Sequence, residues 1–155
     1  MHKAILSLLA PPFTYRYITA RPDKRDGVVV LAGPSNKTDQ LWKVKGHSNG
    51  QITIESKAAK GKKNRYLSTG RSGNNNHALV RLGPSQRFTV TMKAGGPFTS
   101  FEMAHPKKTS TGHITVVSVS NSTDPNGNEY IAYINQNTEG HIQSFKFAMV
   151  RENPK

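Results

Sequence analysis

The chain has 155 residues and a formal net charge of +13, from 22 Lys and Arg against 9 Asp and Glu. This length suits a single domain over 1–155, and no apolar run approaches the roughly 18 residues of a membrane-spanning helix, so we expect no membrane insertion. Cysteine is absent, which excludes disulfides and cysteine zinc sites. Because the short apolar stretch 5–10 also makes no convincing signal peptide, a cytoplasmic protein is predicted and secretion stays open.

Twelve short strands are predicted, because runs of β-branched and aromatic residues recur between clusters of Gly, Pro, Asn and Ser. They group into three units, at about 1–46, 47–94 and 95–150. The first unit uses residues 4–9, 13–19, 28–31 and 41–45, the second 51–55, 65–68, 79–82 and 87–92, and the third 99–103, 113–118, 130–134 and 144–150. Many short strands without helical periodicity indicate an all-β domain.

A short motif closes each unit: a Gln, any residue, an aromatic, a polar residue and an apolar one. The pairs of Gln and aromatic are Gln40 and Trp42, Gln86 and Phe88, and Gln143 and Phe145. A propeller would usually need four or more copies, so three copies argue against blades. Because large aromatics usually bury most of their area, we expect the three aromatic side chains in the core.

This triplicated motif resembles the Gln-x-Trp repeat of the ricin-B-type β-trefoil lectins. The resemblance implies a β-trefoil of three pseudo-symmetric, four-stranded units. It also implies that each aromatic fills the central core and that each Gln side chain ties a loop to the backbone. The stretch 40–44, followed after five residues by 50–54, is in addition similar to the fungal β-trefoil protease inhibitors, the mycocypins.

Enzymatic chemistry finds little support in the residue pattern. The nine acidic residues are scattered, and most of them lie in predicted turns. The six His show no His-x3-His spacing of a zinc site, and neither a Gly-x-Ser-x-Gly nor a Walker-type motif is present. We therefore expect a non-enzymatic protein with no catalytic residues, metal or cofactor.

Sugar binding is the leading functional interpretation, with glycans or glycoproteins as partners. A sugar site needs an aromatic face and two or three amide or carboxylate groups. The resemblance implies one shallow site per unit, with an aromatic near the third strand, but the third strands of units one and two carry none. A single site is therefore predicted in unit three, from Asp124, Asn128, Tyr130, Tyr133, Asn135, Asn137 and His141.

Two features of this predicted site leave alternatives open. Tyr130 and Tyr133 face opposite sides of a regular strand, so one of them belongs to the core unless the strand bulges. Asn, Asp and Gly are also the usual turn formers, so the same residues fit an ordinary polar hairpin.

Two other functions remain as alternatives. A protease inhibitor would present a surface loop, for which 21–27, 57–64 and 95–98 are candidates. A polyanion binder, for heparin or nucleic acid, would use basic residues that neutralise sulfates or phosphates. The candidate residues are Lys57, Lys60, Lys62, Lys63, Arg65 and Arg71, with Lys107 and Lys108 in a separate loop. A solvated basic loop is the simpler interpretation of such a run.

Overall fold

The computed structural model describes residues 3–11, 16–22, 27–35, 37–69, 75–93 and 100–150, with only the backbone of residues 3 and 4. The strands are β1 Lys3–Leu9, β2 Tyr17–Ala20, β3 Val29–Ala32, β4 Trp42–Gly46, β5 Gln51–Ser56, β6 Tyr66–Thr69, β7 Ala78–Gly83, β8 Phe88–Lys93, β9 Ser100–Ala104, β10 Thr115–Thr123, β11 Glu129–Asn135 and β12 Lys146–Met149. Each predicted strand overlaps one of these. Within the described residues, no helix has the length and apolarity needed to span a membrane.

Six of the strands close a barrel. β1 pairs with β4, β4 with β5, β5 with β8, and β8 with β9, all antiparallel. A bridge between Phe101 and Phe145 then joins β9 to the approach of β12, and β12 pairs back with β1. Closure gives each of these strands two neighbours, which removes the unpaired edges of an open sheet.

Three hairpins cover one end of the barrel. They are β2–β3, β6–β7 and β10–β11. β11 pairs with both β3 and β7, and a bridge between Val28 and Arg81 links the other two hairpins. A six-stranded barrel with a triangular cap of three hairpins is the β-trefoil, so the predicted fold is confirmed.

The cap has the same apolar pairing in each hairpin. In every case a residue of the first arm faces a residue of the second arm, and both are buried. The pairs are Ile18 with Leu31, Leu67 with Leu82, and Val117 with Tyr133. Tyr133 therefore occupies in unit three the position that leucine occupies in the other two.

The motif aromatics fill the barrel, as predicted. Trp42, Phe88 and Phe145 are all 0% exposed and belong to one core cluster. The Trp42 indole Nε1 also donates a hydrogen bond of 3.0 Å to the Ile18 carbonyl in the neighbouring hairpin. Burying such a ring with its polar atom satisfied is strongly stabilising.

The motif glutamines are only partly equivalent. Gln40 Nε2 donates to the Gly33 carbonyl at 2.6 Å, and its Oε1 accepts from the Ser35 backbone N–H. Gln143 repeats this arrangement with the Asn135 carbonyl and the Thr138 N–H.

Gln86 departs from the expected role. It contacts the Thr69 hydroxyl and its neighbour Arg87 instead of holding a loop. The segment between β7 and β8 is short, 84–87, so there is little loop for Gln86 to hold.

Candidate functional site

The residues predicted to bind sugar do not form one cluster. They fall into two groups near opposite ends of strand β11. This strand has seven residues and is therefore roughly 20 Å long, at about 3.3 Å per residue. One group lies at the tip of the β10–β11 hairpin and the other in the loop that leads from β11 to β12. The tip group is Asp124, Asn128 and Tyr130, and the loop group is Asn135, Asn137 and His141.

Tyr133 must be removed from the predicted site, because its side chain is 0% exposed. Its hydroxyl donates to the Ser68 carbonyl at 2.8 Å, and its ring stacks on Phe88 with 6.4 Å between centroids. Burial also raises the pKa of the Tyr133 hydroxyl above its ordinary range. Of the two tyrosines, Tyr133 is thus the core residue and Tyr130 the half-buried one.

The tip group is largely a turn. The Asp124 carboxylate Oδ1 accepts hydrogen bonds of 2.9 Å from the backbone N–H groups of Asn126 and Asn128. The Asp124 N–H in turn donates to the Asn128 carbonyl at 2.8 Å. This is the role of Asp in an ordinary hairpin turn, so the alternative interpretation holds for Asp124.

The loop group is organised by the motif glutamine of its own unit. The Asn135 carbonyl accepts both Gln143 Nε2 at 2.9 Å and the Thr138 hydroxyl at 2.6 Å. The Asn135 side-chain oxygen is buried without a hydrogen-bond partner among the described residues, so Asn135 belongs to the framework. Asn137 is exposed and has a φ of 62°, a left-handed conformation that Asn tolerates.

His141 lies beside this loop with its ring fixed. Nδ1 is 2.9 Å from the Val119 carbonyl. Because a carbonyl oxygen can only accept, Nδ1 carries the hydrogen, and in the neutral ring Nε2 is then an acceptor. A half-buried ring held in one orientation offers a preorganised hydrogen-bonding group.

Unit two contributes two side chains that the sequence did not place here. Asn76 Oδ1 accepts the Asn135 N–H at 3.0 Å, and the His77 N–H donates to the Tyr133 carbonyl at 2.7 Å. The rings of His77 and His141 meet edge to face, with centroids 5.7 Å apart and planes at 61°. We call the set Asn76, His77, Asn137 and His141 the two-unit patch.

The basis of this patch is the pairing of β11 with β7, which sets Tyr133 opposite Ala78. The run 74–76 of three Asn indicates a turn in the sequence. However, no local signal shows that this turn lies against unit three. His77, with a φ of 71°, is the unusual residue that marks the turn in the structure.

Comparison with known proteins gives a likeness in structure. No family model matches the chain, and no curated protein matches it. Among solved structures, Polyporus squamosus lectin bound to Neu5Aca2-6Galb1-4GlcNAc superposes with a TM-score of 0.67 over 95% of this chain, at 12% sequence identity. The chain therefore shares the β-trefoil fold of this structure. The match covers 49% of the lectin chain, so the present chain spans about half of its length.

A cleft of about 410 Å³ is lined mostly by residues of unit one, with Val150 from the end of unit three. Its volume is within the range typical of small-ligand pockets. Tyr17 of β2 supplies an aromatic ring there, although the third strand of this unit has none. The other lining residues are Ser7, Pro34, Lys37, Thr38, Gln40, Leu41 and Val150.

The basic segment is divided by the structure. Lys60, Lys62 and Lys63 are exposed in the β5–β6 loop. Arg65 instead pairs with Glu55, Nε to Oε2 at 2.7 Å, and this hydrogen bond raises the pKa of the Arg65 guanidinium. Lys57 is half-buried at the start of the loop, and Arg71 lies outside the described residues.

Only one of the three loops considered for protease inhibition, 57–64, is described in full; residues 23–26 and the loop 95–98 lie outside the described part. In 57–64 the Lys62 N–H donates to the Ala59 carbonyl at 2.9 Å, and the Ala59 N–H donates to the Ser56 hydroxyl at 3.3 Å. Ala59 is fully buried beneath the loop. These bonds make it a closed turn.

A further histidine, His105, makes contacts with residues of both unit two and unit three. Its Nδ1 accepts the Lys107 N–H at 3.1 Å, and its Nε2 lies 2.9 Å from the Thr69 hydroxyl. Its ring meets Tyr133 edge to face at 5.4 Å. Burial first, and then the positive charge of Lys107, lower the pKa of His105. Among the described residues, no group of three His, Asp or Glu could hold a metal ion.

Proposed function

We propose that the protein is a non-enzymatic carbohydrate-binding protein whose glycan site is the two-unit patch of Asn76, His77, Asn137 and His141. The observation that carries the proposal is the contact of the His77 and His141 rings across two units. Asn76 is hydrogen-bonded to Asn135 beside them, and the exposed Asn137 follows two residues later in the same loop. The site keeps two of the predicted unit-three residues, Asn137 and His141. It replaces Tyr133 by side chains from unit two.

The chemistry of the patch suits sugar hydroxyls. A carboxamide offers a donor and an acceptor close together, so it can hold adjacent hydroxyls as a pair. His141 Nε2 can accept a hydrogen bond from a sugar hydroxyl, because Nδ1 already donates to the Val119 carbonyl. The imidazole of the exposed His77 would take the place of the tyrosine ring that was predicted to pack against the sugar.

The affinity of such a site is expected to be low. The patch is shallow, and little area would be buried by a sugar, so the ordering costs of binding are only partly offset. We expect a dissociation constant of roughly 10⁻⁵ to 10⁻³ M for one site. The likeness to Polyporus squamosus lectin supports sugar binding at the level of the fold, and it does not bear on which sugar is bound.

Replacing Asn137 by Gly tests the proposal with little disturbance of the backbone. Gly tolerates the φ of 62° at this position, so the change removes the amide without strain. Binding on a glycan array and by calorimetry should weaken by roughly tenfold, the effect of losing hydrogen bonds worth about 1.4 kcal/mol.

Asn49→Gly is the matched control, because Asn49 is also exposed and has a φ of 65°. It should bind every glycan as the unaltered protein does. Equal binding by the Asn137→Gly and Asn49→Gly proteins would contradict a site at the two-unit patch. A protein that binds no glycan but inhibits a protease would overturn carbohydrate binding altogether.

A further inference from the structure

The outer wall of the barrel carries regularly spaced cations on β4. Trp42 and Val44 point into the barrel and are buried, so Lys43 and Lys45 project outward from the same strand. Two residues of strand place them about 7 Å apart along the wall.

Strand register brings an arginine from unit two to the same wall. Lys45 lies opposite Thr53 on β5. On the other side of β5, Gln51 pairs with Thr89 and Ile52 with Phe88. Continuing this register by one residue sets Arg87 beside Thr53, so Lys45 and Arg87 are about 10 Å apart, two interstrand spacings.

His47 lies next to Thr53, near the positive charges of Lys45 and Arg87. His47 Nε2 is 3.1 Å from the Thr53 hydroxyl. The pKa of His47 is lowered by burial first, and then by the charges of Arg87 and Lys45. Both cations are therefore close enough to act on the same imidazole.

The β5–β6 loop, which carries three exposed lysines, starts at one end of this wall. Ser56 at the end of β5 pairs with Trp42 at the start of β4, and the Lys57 N–H donates to the Leu41 carbonyl at 3.0 Å. The loop thus begins beside the end of the wall that carries Lys43. The name basic face is used below for Lys43, Lys45, Arg87, Lys60, Lys62 and Lys63.

The acidic residues near the basic face form ion pairs with other arginines, so they do not neutralise its positive charge. Glu55, opposite Lys43 on β5, is engaged by Arg65. Asp39, which precedes β4, is engaged by Arg21 at 3.2 Å. Among the described residues, no acidic side chain forms an ion pair with a member of the basic face.

We propose that the basic face is a docking surface for a sulfated polysaccharide. Several cations spaced along a strand and a loop match a chain that bears sulfates at short intervals, and binding would release counterions. A single-stranded nucleic acid would also need exposed aromatic rings for its bases. The ring next to the loop is Tyr66, and the Arg65 guanidinium already lies over it at 5.1 Å.

Heparin chromatography of the full chain, with variants of matched charge, tests this surface. Lys45→Gln/Arg87→Gln removes two charges from the wall, and Lys60→Gln/Lys62→Gln removes two from the loop. The control, Lys108→Gln/Lys146→Gln, removes two from the third unit. The wall and loop variants should elute at lower salt than the control, with heparin dissociation constants raised roughly tenfold at about 0.1 M salt. Thermal melts check that each variant is folded.

The outcomes separate the possible explanations. Equal shifts in all three variants would overturn the proposal, because net charge alone would then explain retention. Retention on desulfated heparin, or tighter binding to DNA than to heparin at the same salt, would overturn the choice of partner. The Asn137→Gly protein should elute from heparin unchanged, so failure of the glycan site and failure of the basic face are distinguishable.

Discussion

At the scale of single residues, the motif glutamine is a loop anchor only where there is a loop to hold. Gln40 and Gln143 each bind a carbonyl and a backbone N–H across the segments 33–41 and 136–145. Gln86 closes a unit whose corresponding segment is 84–87. The same residue type in the same motif therefore makes different contributions to stability.

Replacing Gln40 by Ala should lower the free energy of unfolding by about 1–3 kcal/mol, because it removes the bonds to Gly33 and Ser35 and a bond to the buried Thr19 hydroxyl. Gln86→Ala should cost less than about 0.5 kcal/mol, since Gln86 is half exposed and its bonds are peripheral. Urea unfolding of the two variants measures both values. Equal losses would show that Gln86 holds its unit in the same way.

His105 makes stability depend on pH. Its pKa in the folded protein is lowered from the ordinary 6.5, chiefly by burial, so the unfolded chain takes up a proton more readily. The free energy of unfolding should therefore be level above pH 6.5 and fall as the pH drops below it.

Urea unfolding at about pH 7.5 and about pH 5.5 shows this loss directly. His105→Gln should reduce the difference between the two conditions, although His47 contributes in the same direction. His113→Gln is the control, because the exposed His113 imidazole makes no hydrogen bond among the described residues. If the free energy of unfolding still changed as much between the two pH values in the His105→Gln protein, another group would cause the pH dependence.

At the scale of strands and hairpins, the local sequence pattern predicts where each strand lies but not the residue at which it ends. Alternating and apolar runs placed a strand at each of the twelve positions. β10 nevertheless continues to Thr123, beyond the predicted end at 118, because Thr123 pairs with Glu129 after a shift in register that follows Val119. Ser and Asn in this stretch indicated a turn, and cross-strand pairing overrides such a local preference.

The candidate site was the least predictable part, because it depends on contacts between units. Tyr133 carries no local mark that distinguishes a core tyrosine from a sugar platform; its burial follows from facing Val117, as Leu31 faces Ile18. Asn76 and His77 reach unit three through the pairing of β7 with β11. Such long-range pairings are set by topology.

The central position of β11 predicts where the molecule opens last. β11 pairs with β10, β3 and β7, and its residues 131–134 are buried on both faces. β12 is only partly buried, and Met149 is 78% exposed. Hydrogen exchange should therefore be slowest for amides 131–134 and faster for 146–149. Faster exchange in β11 than in β12 would contradict the packing described.

At the scale of the whole molecule, the three units share a fold, but the two proposed binding surfaces lie on different sides of it. The two-unit patch uses the cap side, where hairpins of units two and three meet, and the basic face uses the barrel wall of units one and two. The excess of 22 basic over 9 acidic residues attracts anions from all sides. Only the local arrangement of these charges can select a partner.

An NMR titration of ¹⁵N-labelled protein would locate a bound glycan, which we expect at the junction of units two and three. The ligands would be Neu5Aca2-6Galb1-4GlcNAc and the strongest binders found on a glycan array. We expect shifts for the amides of 75–78 and 135–143, with smaller shifts in the Asn137→Gly protein. A glycan site at this junction would be contradicted by shifts confined to Tyr17, Lys37 and Thr38, at the cleft lined mostly by unit one. It would also be contradicted if no glycan caused shifts at about 10⁻³ M.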